Sequence, residues 1–270
     1  DPEALRVRIE EDINREIKAV FVTHNETSTG VVNDIKVLRE AVGDHPALFI
    51  VDSVSGMAVS PLKIDEWKLD VVATGSQKAF MIPPGLAFIS VSPKAWEVCE
   101  KVTTPRFYFD LKAAKKAYTE KFNTPYTPAT NLIVALQESL KMMEEEGLPS
   151  IWARHDKYKK LVRAAIKELG LEPLAGDEAA SGAVTAIKKP GNIDVKKISK
   201  IMREKHNITI AAGQGKLETE IFRIGHLGYV HVNDIIVTIA ALEMTLKELG
   251  MDIDLGQGVA KILNMLMKGE

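Results

Sequence analysis

The feature that most constrains this chain is an alternation, running through its first half, of short apolar runs with stretches of helical periodicity. Ala19-Val20-Phe21-Val22-Thr23 is followed by a polar loop and then by Ile35, Leu38 and Val42 at helical spacing. Ala47-Leu48-Phe49-Ile50-Val51 and Val71-Val72-Ala73-Thr74 come next. Each run is nearly continuous in apolar residues, as strands buried on both faces of a parallel sheet are, and the helices between them supply the crossovers that parallel pairing needs. A fourth run, Leu86 to Val91, follows the turn-forming Pro83-Pro84-Gly85, which suits an antiparallel return. The expectation is an α/β domain with a mostly parallel sheet flanked by helices. Ahead of it, Asp1 to Lys18 reads as one amphipathic helix leading straight into the first strand.

From Thr127 the pattern turns helical. Thr127 suits an N-cap, Pro128 the first helical position, and Ile133, Leu136, Leu140 and Met143 repeat at three- and four-residue spacing up to Gly147-Leu148-Pro149. A second long helix carries Tyr158, Leu161, Ala165 and Leu169 and stops at Gly170. The rest reads as a smaller α+β unit: strand near 183–188, helix near 195–205, strands at 208–211 and 221–224, and a closing helix bearing Ile235, Ile239, Leu242, Leu246 and Leu249. The expected domains are 1–145 and 146–270.

Composition narrows the function. Thirty-five Lys and Arg against 37 Asp and Glu leave a formal charge of -2, which gives no global field to hold a polyanion or an anionic membrane, so nucleic acid is not an expected partner. The single cysteine, Cys99, excludes an intrachain disulfide and a multi-thiolate zinc site and suits a reducing compartment, so a cytoplasmic location is expected. No apolar run approaches the ~18 residues that would cross a bilayer, and Asp1-Pro2-Glu3 is acidic where a signal peptide is basic. His226 and His231 lie close in sequence, but nothing nearby completes a metal set; both read as structural or solvent-facing, and no metal is expected.

Ligands of open α/β sheets bind beyond the carboxyl ends of the strands. There the chain carries His24-Asn25-Glu26-Thr27-Ser28-Thr29-Gly30 after the first run, Asp52-Ser53 after the second, and Gly75-Ser76-Gln77-Lys78 after the third, the last followed by apolar Ala79-Phe80-Met81-Ile82. A carboxylate and an amine meeting in a dry crevice suit pyridoxal phosphate, whose aldehyde condenses with a lysine and whose ring nitrogen stays protonated only beside an anion. Taken one at a time, each residue has a plainer reading: Lys78 as a solvated lysine, Asp52 as a helix cap or metal ligand, Ser28 and Thr29 as turn residues.

Taken together, Glu26-Thr27-Ser28-Thr29-Gly30, Val51-Asp52-Ser53-Val54, Gly75-Ser76-Gln77-Lys78-Ala79 with Pro83-Pro84-Gly85, and Phe222-Arg223-Ile224-Gly225 resemble the class V aminotransferases of fold type I, in particular the alanine-glyoxylate and serine-pyruvate branch. The resemblance covers essentially the whole chain. It implies the pyridoxal-phosphate-dependent transferase fold, with Lys78 as the Schiff-base lysine and general base, Asp52 on the pyridine nitrogen, Ser28 on the phenolic oxygen and Gln77 on the phosphate. Arg223 would clamp the substrate carboxylate; its plainer reading is a solvent-facing strand residue. Thr124-Pro125-Tyr126-Thr127-Pro128 matches the segment that crosses a homodimer interface to the partner's cofactor phosphate, so Thr124 and Thr127 join the cofactor-binding residues. The substrates implied are a small amino acid and a 2-oxo acid, alanine or serine with glyoxylate or pyruvate. Gln77 stands where cysteine desulfurases have histidine, and Cys99 lies in a helical stretch, which favours transamination over desulfuration; no extra basic cluster near Arg223 supports a phosphorylated substrate. Family members carry a further N-terminal portion with most of the phosphate cup, an aromatic residue stacked on the ring and a dimer arm. On this reading the large domain is incomplete, and the competing expectation is a non-catalytic fragment or subunit that binds no cofactor by itself.

Overall fold

A computed structural model describes residues 1–269. In chain order the elements are α1 (Pro2–Glu10), β1 (Ala19–Thr23), β2 (Asn25–Glu26), β3 (Val31–Val32), α2 (Ile35–Val42), β4 (Leu48–Asp52), β5 (Val71–Gly75), β6 (Ala87–Val91), α3 (Pro93–Lys101), α4 (Leu111–Lys121) and α5 (Thr130–Glu146). They continue with α6 (Leu148–Glu168), β7 (Val184–Lys188), α7 (Val195–His206), β8 (Ala211–Ala212), β9 (Ile221–Gly225), α8 (Val232–Glu248) and α9 (Gln257–Lys268). The chain divides into two compact units. Asp1–Thr23, Asp34–Ser53 and Lys63–Lys141 form the first; His24–Asn33, Val54–Leu62 and the chain from Met142 onward form the second. Two short segments after β1 and β4 thus group with the second unit although they lie inside the range 1–145.

The first unit is built on a four-stranded sheet of order β1-β4-β5-β6, parallel except for β6, which returns antiparallel beside β5. Alternate residues point to opposite faces. One face buries Phe49, Val51 and Val72. The other carries the rows Phe21-Ile50-Val71-Val91 and Thr23-Asp52-Ala73-Ile89, and here the expectation of two buried faces fails: Phe21 is 77% exposed and Ile89 48%. The apolar runs are long enough to be buried twice, but the second side is covered only in part, with Ile50, Val71 and Val91 half-buried. Asp70, at the start of β5, fixes that packing: it accepts from Phe49 N at 2.8 Å and from Ser92 Oγ at 3.0 Å, and pairs with Lys94 at 3.1 Å.

The N-terminal helix also stops earlier than its pattern predicts. The Asp12 carboxylate accepts from Glu16 N at 2.8 Å and Ile17 N at 2.7 Å, diverting donors a helix would need, and Arg15 turns left-handed at φ 54°.

The second unit centres on an antiparallel sheet of order β7-β9-β8, against which α6 and α7 pack, with α8 and α9 packed on these helices. Leu161, Ile166, Ile198, Phe222, Ile239 and Ile262 meet in its core. The helix periodicities of α6, α7 and α8 are realised nearly as read. The strand expected at 208–211 shrinks to Ala211–Ala212, because Asn207, left-handed at φ 55°, caps α7 and Ile208 N is spent on Met202 O at 3.0 Å. The helix bearing Leu249 is not the last, since α9 follows it and packs on α6. Among the described residues no helix is long and apolar enough to cross a membrane.

Candidate active site

In the first unit, the carboxyl ends of β4 and β5 bring three of the expected groups to one sheet edge. Asp52 closes β4 opposite Ala73 of β5, and β5 ends at Gly75, directly before Ser76, Gln77 and Lys78. Neighbouring strands lie about 4.8 Å apart. Asp52 and Gln77 are exposed and Lys78 is half-buried. Space beside Asp52 is kept by small residues: Ala73 and Gly75 share its face, and a Cβ at position 75 would meet Gln77 Oε1 at 3.0 Å.

The backbone around Lys78 is pinned by Ser76, which is fully buried. Its Oγ donates to Pro83 O at 2.8 Å and accepts from Leu86 N at 3.2 Å, while its own N–H donates to Leu86 O at 3.1 Å. A tight turn follows, in which Met81 N reaches Lys78 O at 3.0 Å and Met81 takes φ 61°, an unfavourable conformation for a side chain of its size. Phe80 packs on Phe88 with ring centroids 4.9 Å apart, and the Ser139 hydroxyl donates to Phe80 O.

Thr124 and Thr127 lie apart from that edge in sequence and are exposed. The expected helix start is overturned. Pro128 O is taken by Thr130 N at 3.0 Å, and the first four-residue helical bond runs from Ile133 N to Ala129 O at 3.1 Å, so α5 begins at Thr130 and Thr127 does not cap it. Thr124 Oγ1 donates instead to Tyr126 O at 2.6 Å. Tyr126 stacks on Tyr108 at 5.1 Å and tilts against Phe107 at 5.5 Å. Phe107 and Phe109 beside it are 79% and 85% exposed.

The second unit holds Ser28 and Arg223. Residues 24–33 form a small hairpin, β2 with β3, fastened to β7 and the segment before it: Val32 N donates to Ala179 O and Ser181 N to Gly30 O at 2.9 and 3.0 Å. Gly30, at φ 70°, is required there, because a Cβ would lie 3.1 Å from Ala186 N and 3.2 Å from Val184 O. Asn25 is buried and donates to Ser55 Oγ at 2.8 Å; Ser55 Oγ lies 2.6 Å from Thr27 Oγ1, and Ser181 Oγ donates to Asn25 Oδ1 at 2.5 Å.

Within this loop Ser28 donates twice to Glu26 Oε1, from its N–H at 2.9 Å and its hydroxyl at 2.6 Å. These bonds, with the nearby Arg223 charge, hold the Glu26 carboxyl below its ordinary range. Arg223 is buried, which overturns its solvent-facing reading. Its Nε donates to Ala212 O and its Nη1 to Thr27 O, both at 2.9 Å. Burial lowers its affinity for the proton and Glu26 opposes that. Three residues on, His226 is fully buried: Nδ1 donates to Gly182 O at 2.9 Å, leaving Nε2 to accept from Thr185 Oγ1 at 3.0 Å, and burial pushes its pKa down to about 3. His231 is exposed at the start of α8. Among the described residues no three of His, Cys, Asp and Glu gather into a group able to hold a metal ion.

The sequence carries Glu26 and Thr27 inside a motif without a reason to single them out. Ser55 and Ala212 give no signal at all, because their part depends on contacts across many residues of chain.

The architecture is that of the pyridoxal-phosphate-dependent enzymes of fold type I. The structure of ureidoglycine-glyoxylate aminotransferase from Bacillus subtilis superposes with a TM-score of 0.93 at 30% identity, over 99% of this chain and 69% of that one. Residues 5–253 match the class-V aminotransferase family, and the chain belongs to it. It is 48% identical over 262 residues to the soluble hydrogenase 42 kDa subunit of Anabaena cylindrica, covering 96% of this chain and 68% of that protein. It is 38% identical over 261 residues to a serine-glyoxylate aminotransferase of Arabidopsis thaliana, covering 96% and 65%. The chain therefore spans about two thirds of the length of the relatives it matches. The cofactor of this family is pyridoxal phosphate.

Proposed function

We propose that the chain carries machinery for transamination between a small amino acid, alanine or serine, and a 2-oxo acid, glyoxylate or pyruvate, with pyridoxal phosphate held at Lys78. The observation that carries this reading is the placement of Asp52 and Lys78 at the carboxyl ends of hydrogen-bonded parallel neighbours, with Gln77 beside Lys78. A carboxylate, an amine and an amide at one edge, beside the small residues Ala73 and Gly75, form a donor set that fits a flat cofactor bearing an aldehyde, a basic ring nitrogen and a phosphate. The Arabidopsis relative, whose name joins serine to glyoxylate, supports the substrate pair. The Anabaena relative carries the name of a hydrogenase subunit, whereas the class-V aminotransferase match over residues 5–253 favours transamination.

When bound, the cofactor supplies an aldehyde for covalent linkage and a ring that takes up an electron pair. Asp52 would keep a proton on its ring nitrogen by supplying the opposing charge. Lys78 Nζ would hold it and, once displaced by the substrate amine, would be free to act as the base that takes the proton from the substrate α-carbon. Gln77 would donate to the phosphate. Arg223 would bind the substrate carboxylate through guanidinium protons not already given to Ala212 O and Thr27 O. Ser28 gives both its N–H and its hydroxyl proton to Glu26, so it would reach a phenolic oxygen only by releasing the hydroxyl bond. The exposed aromatic cluster of Phe107, Tyr108, Phe109 and Tyr126 supports a homodimer in which the segment bearing Thr124 and Thr127 approaches the partner's phosphate.

The test is covalent trapping. The chain is incubated with pyridoxal phosphate, reduced with borohydride and mapped by peptide mass spectrometry. The expected result is a modification concentrated at Lys78 and absent from Lys78→Met, whose other lysines stay unlabelled. Labelling scattered over surface lysines, with none at position 78, refutes the reading.

A further inference from the structure

We infer that Glu26 is a positioning residue for Arg223, setting the direction in which its guanidinium receives a carboxylate; the inference rests on the proposed role of Arg223. Arg223 has five N–H donors, and two are fixed: Nε–H on Ala212 O and one Nη1–H on Thr27 O. What remains is the second Nη1 proton and the pair on Nη2. A carboxylate can therefore be received in two parallel bonds only on the Nη1/Nη2 end, and the plane of that end is set by the two carbonyls.

The Ala212 carbonyl belongs to β8, which is paired with β9 and held by the sheet. Thr27 has no such support, since it lies between β2 and β3. Its peptide is oriented by its neighbours. Glu26 O accepts from Gly30 N at 2.9 Å and Glu26 Oε1 accepts from both donors of Ser28, so the peptide joining Thr27 to Ser28 is gripped at its N–H end by the Glu26 side chain. The Thr27 carbonyl is the other end of that same peptide. A planar unit fixed at N–H is fixed at C=O. Glu26 thereby aims the acceptor that aims Arg223, and Ser28 serves as its second handle. The side chain of Thr27, tied to Ser55 at 2.6 Å, keeps the residue from rotating in the other sense.

The experiment uses the whole chain and pyruvate as the carboxylate probe, with pyruvamide as its neutral counterpart. Binding is measured by isothermal titration calorimetry and followed in parallel through the Arg223 Nε–Hε resonance, assigned by its loss in Arg223→Gln. Removing the grip with Glu26→Ala is expected to weaken pyruvate binding about tenfold and to erase most of the preference over pyruvamide. Glu26→Gln keeps an oxygen for both Ser28 donors and is expected to stay within about threefold of the original chain. Should Glu26→Ala not fold, Ser28→Ala, which removes one of the two donors, is expected to cost about threefold in the same titration. A lowered melting temperature with an unchanged pyruvate titration would make Glu26 merely structural and overturns the inference, as does a Glu26→Gln chain as weak as Glu26→Ala. If Arg223→Gln abolishes pyruvate binding while Glu26→Ala leaves it unchanged, the role of Arg223 stands and only this inference falls. If pyruvate neither moves the Arg223 resonance nor binds more weakly to Arg223→Gln, the role of Arg223 falls and takes the inference with it.

Discussion

Acidification should destabilise the second unit through one imidazole. His226 is fully buried with its Nδ1 proton on Gly182 O and its Nε2 lone pair facing the Thr185 hydroxyl, a set of partners complete for the neutral ring. Folding holds its pKa near 3 against an ordinary 6.5. Between those values the unfolded chain takes up a proton that the folded chain refuses, so stability is complete above pH 6.5 and falls steadily as the pH drops toward 3. At pH 5 the deficit is about 1.5 pH units times ~1.4 kcal/mol, or about 2 kcal/mol. His155, also pushed down by burial, adds loss in the same direction. To isolate His226, urea unfolding at pH 7.5 and pH 5.0 is compared for the original chain and for His226→Gln, which keeps a donor and an acceptor but has no proton to take up. The original chain should lose about 2 kcal/mol more than the variant over that interval. Equal losses in the two proteins would show that the ring is not held neutral, and the reasoning would be refuted.

Two further substitutions test the loops that carry the site. Ser76→Ala leaves Leu86 N and Pro83 O without their buried partner and should cost about 1–3 kcal/mol in urea unfolding, with faster proteolysis between residues 76 and 86. Gly30→Ala forces a side chain into a left-handed conformation and against the backbone of Val184 and Ala186; a loss of at least about 1–2 kcal/mol is expected by thermal denaturation, and a neutral result would mean that the loop relaxes freely.

Where the candidate site's residues lie was partly legible in the sequence, because several of them sit where strands stop. A run of apolar residues ending in Asp52, and another ending before Gln77-Lys78, need only the rule that ligands gather at carboxyl strand ends. The antiparallel return of β6 was likewise written in Pro83-Pro84-Gly85. What stayed illegible depends on distant partners. The start of α5 moved two residues because Pro128 O is captured locally, and Ile208 left its strand to finish a helix cap. The loop 24–33 follows β1 directly yet is fastened to residues 179–186, which no local pattern announces. Arg223 is the intermediate case: its apolar neighbours hint at burial, but the two carbonyls that hold it appear only once β8 and the hairpin are in place.

Ser76 has a consequence for how Lys78 can move. With three hydrogen bonds tying position 76 to the far side of its loop, and the following turn closed on Lys78 O, the main chain has little freedom to follow a departing ligand. In the proposed catalytic role, any swing of the amine must come from torsion about its own methylene bonds, which makes the side chain a tether of fixed anchorage and adjustable reach.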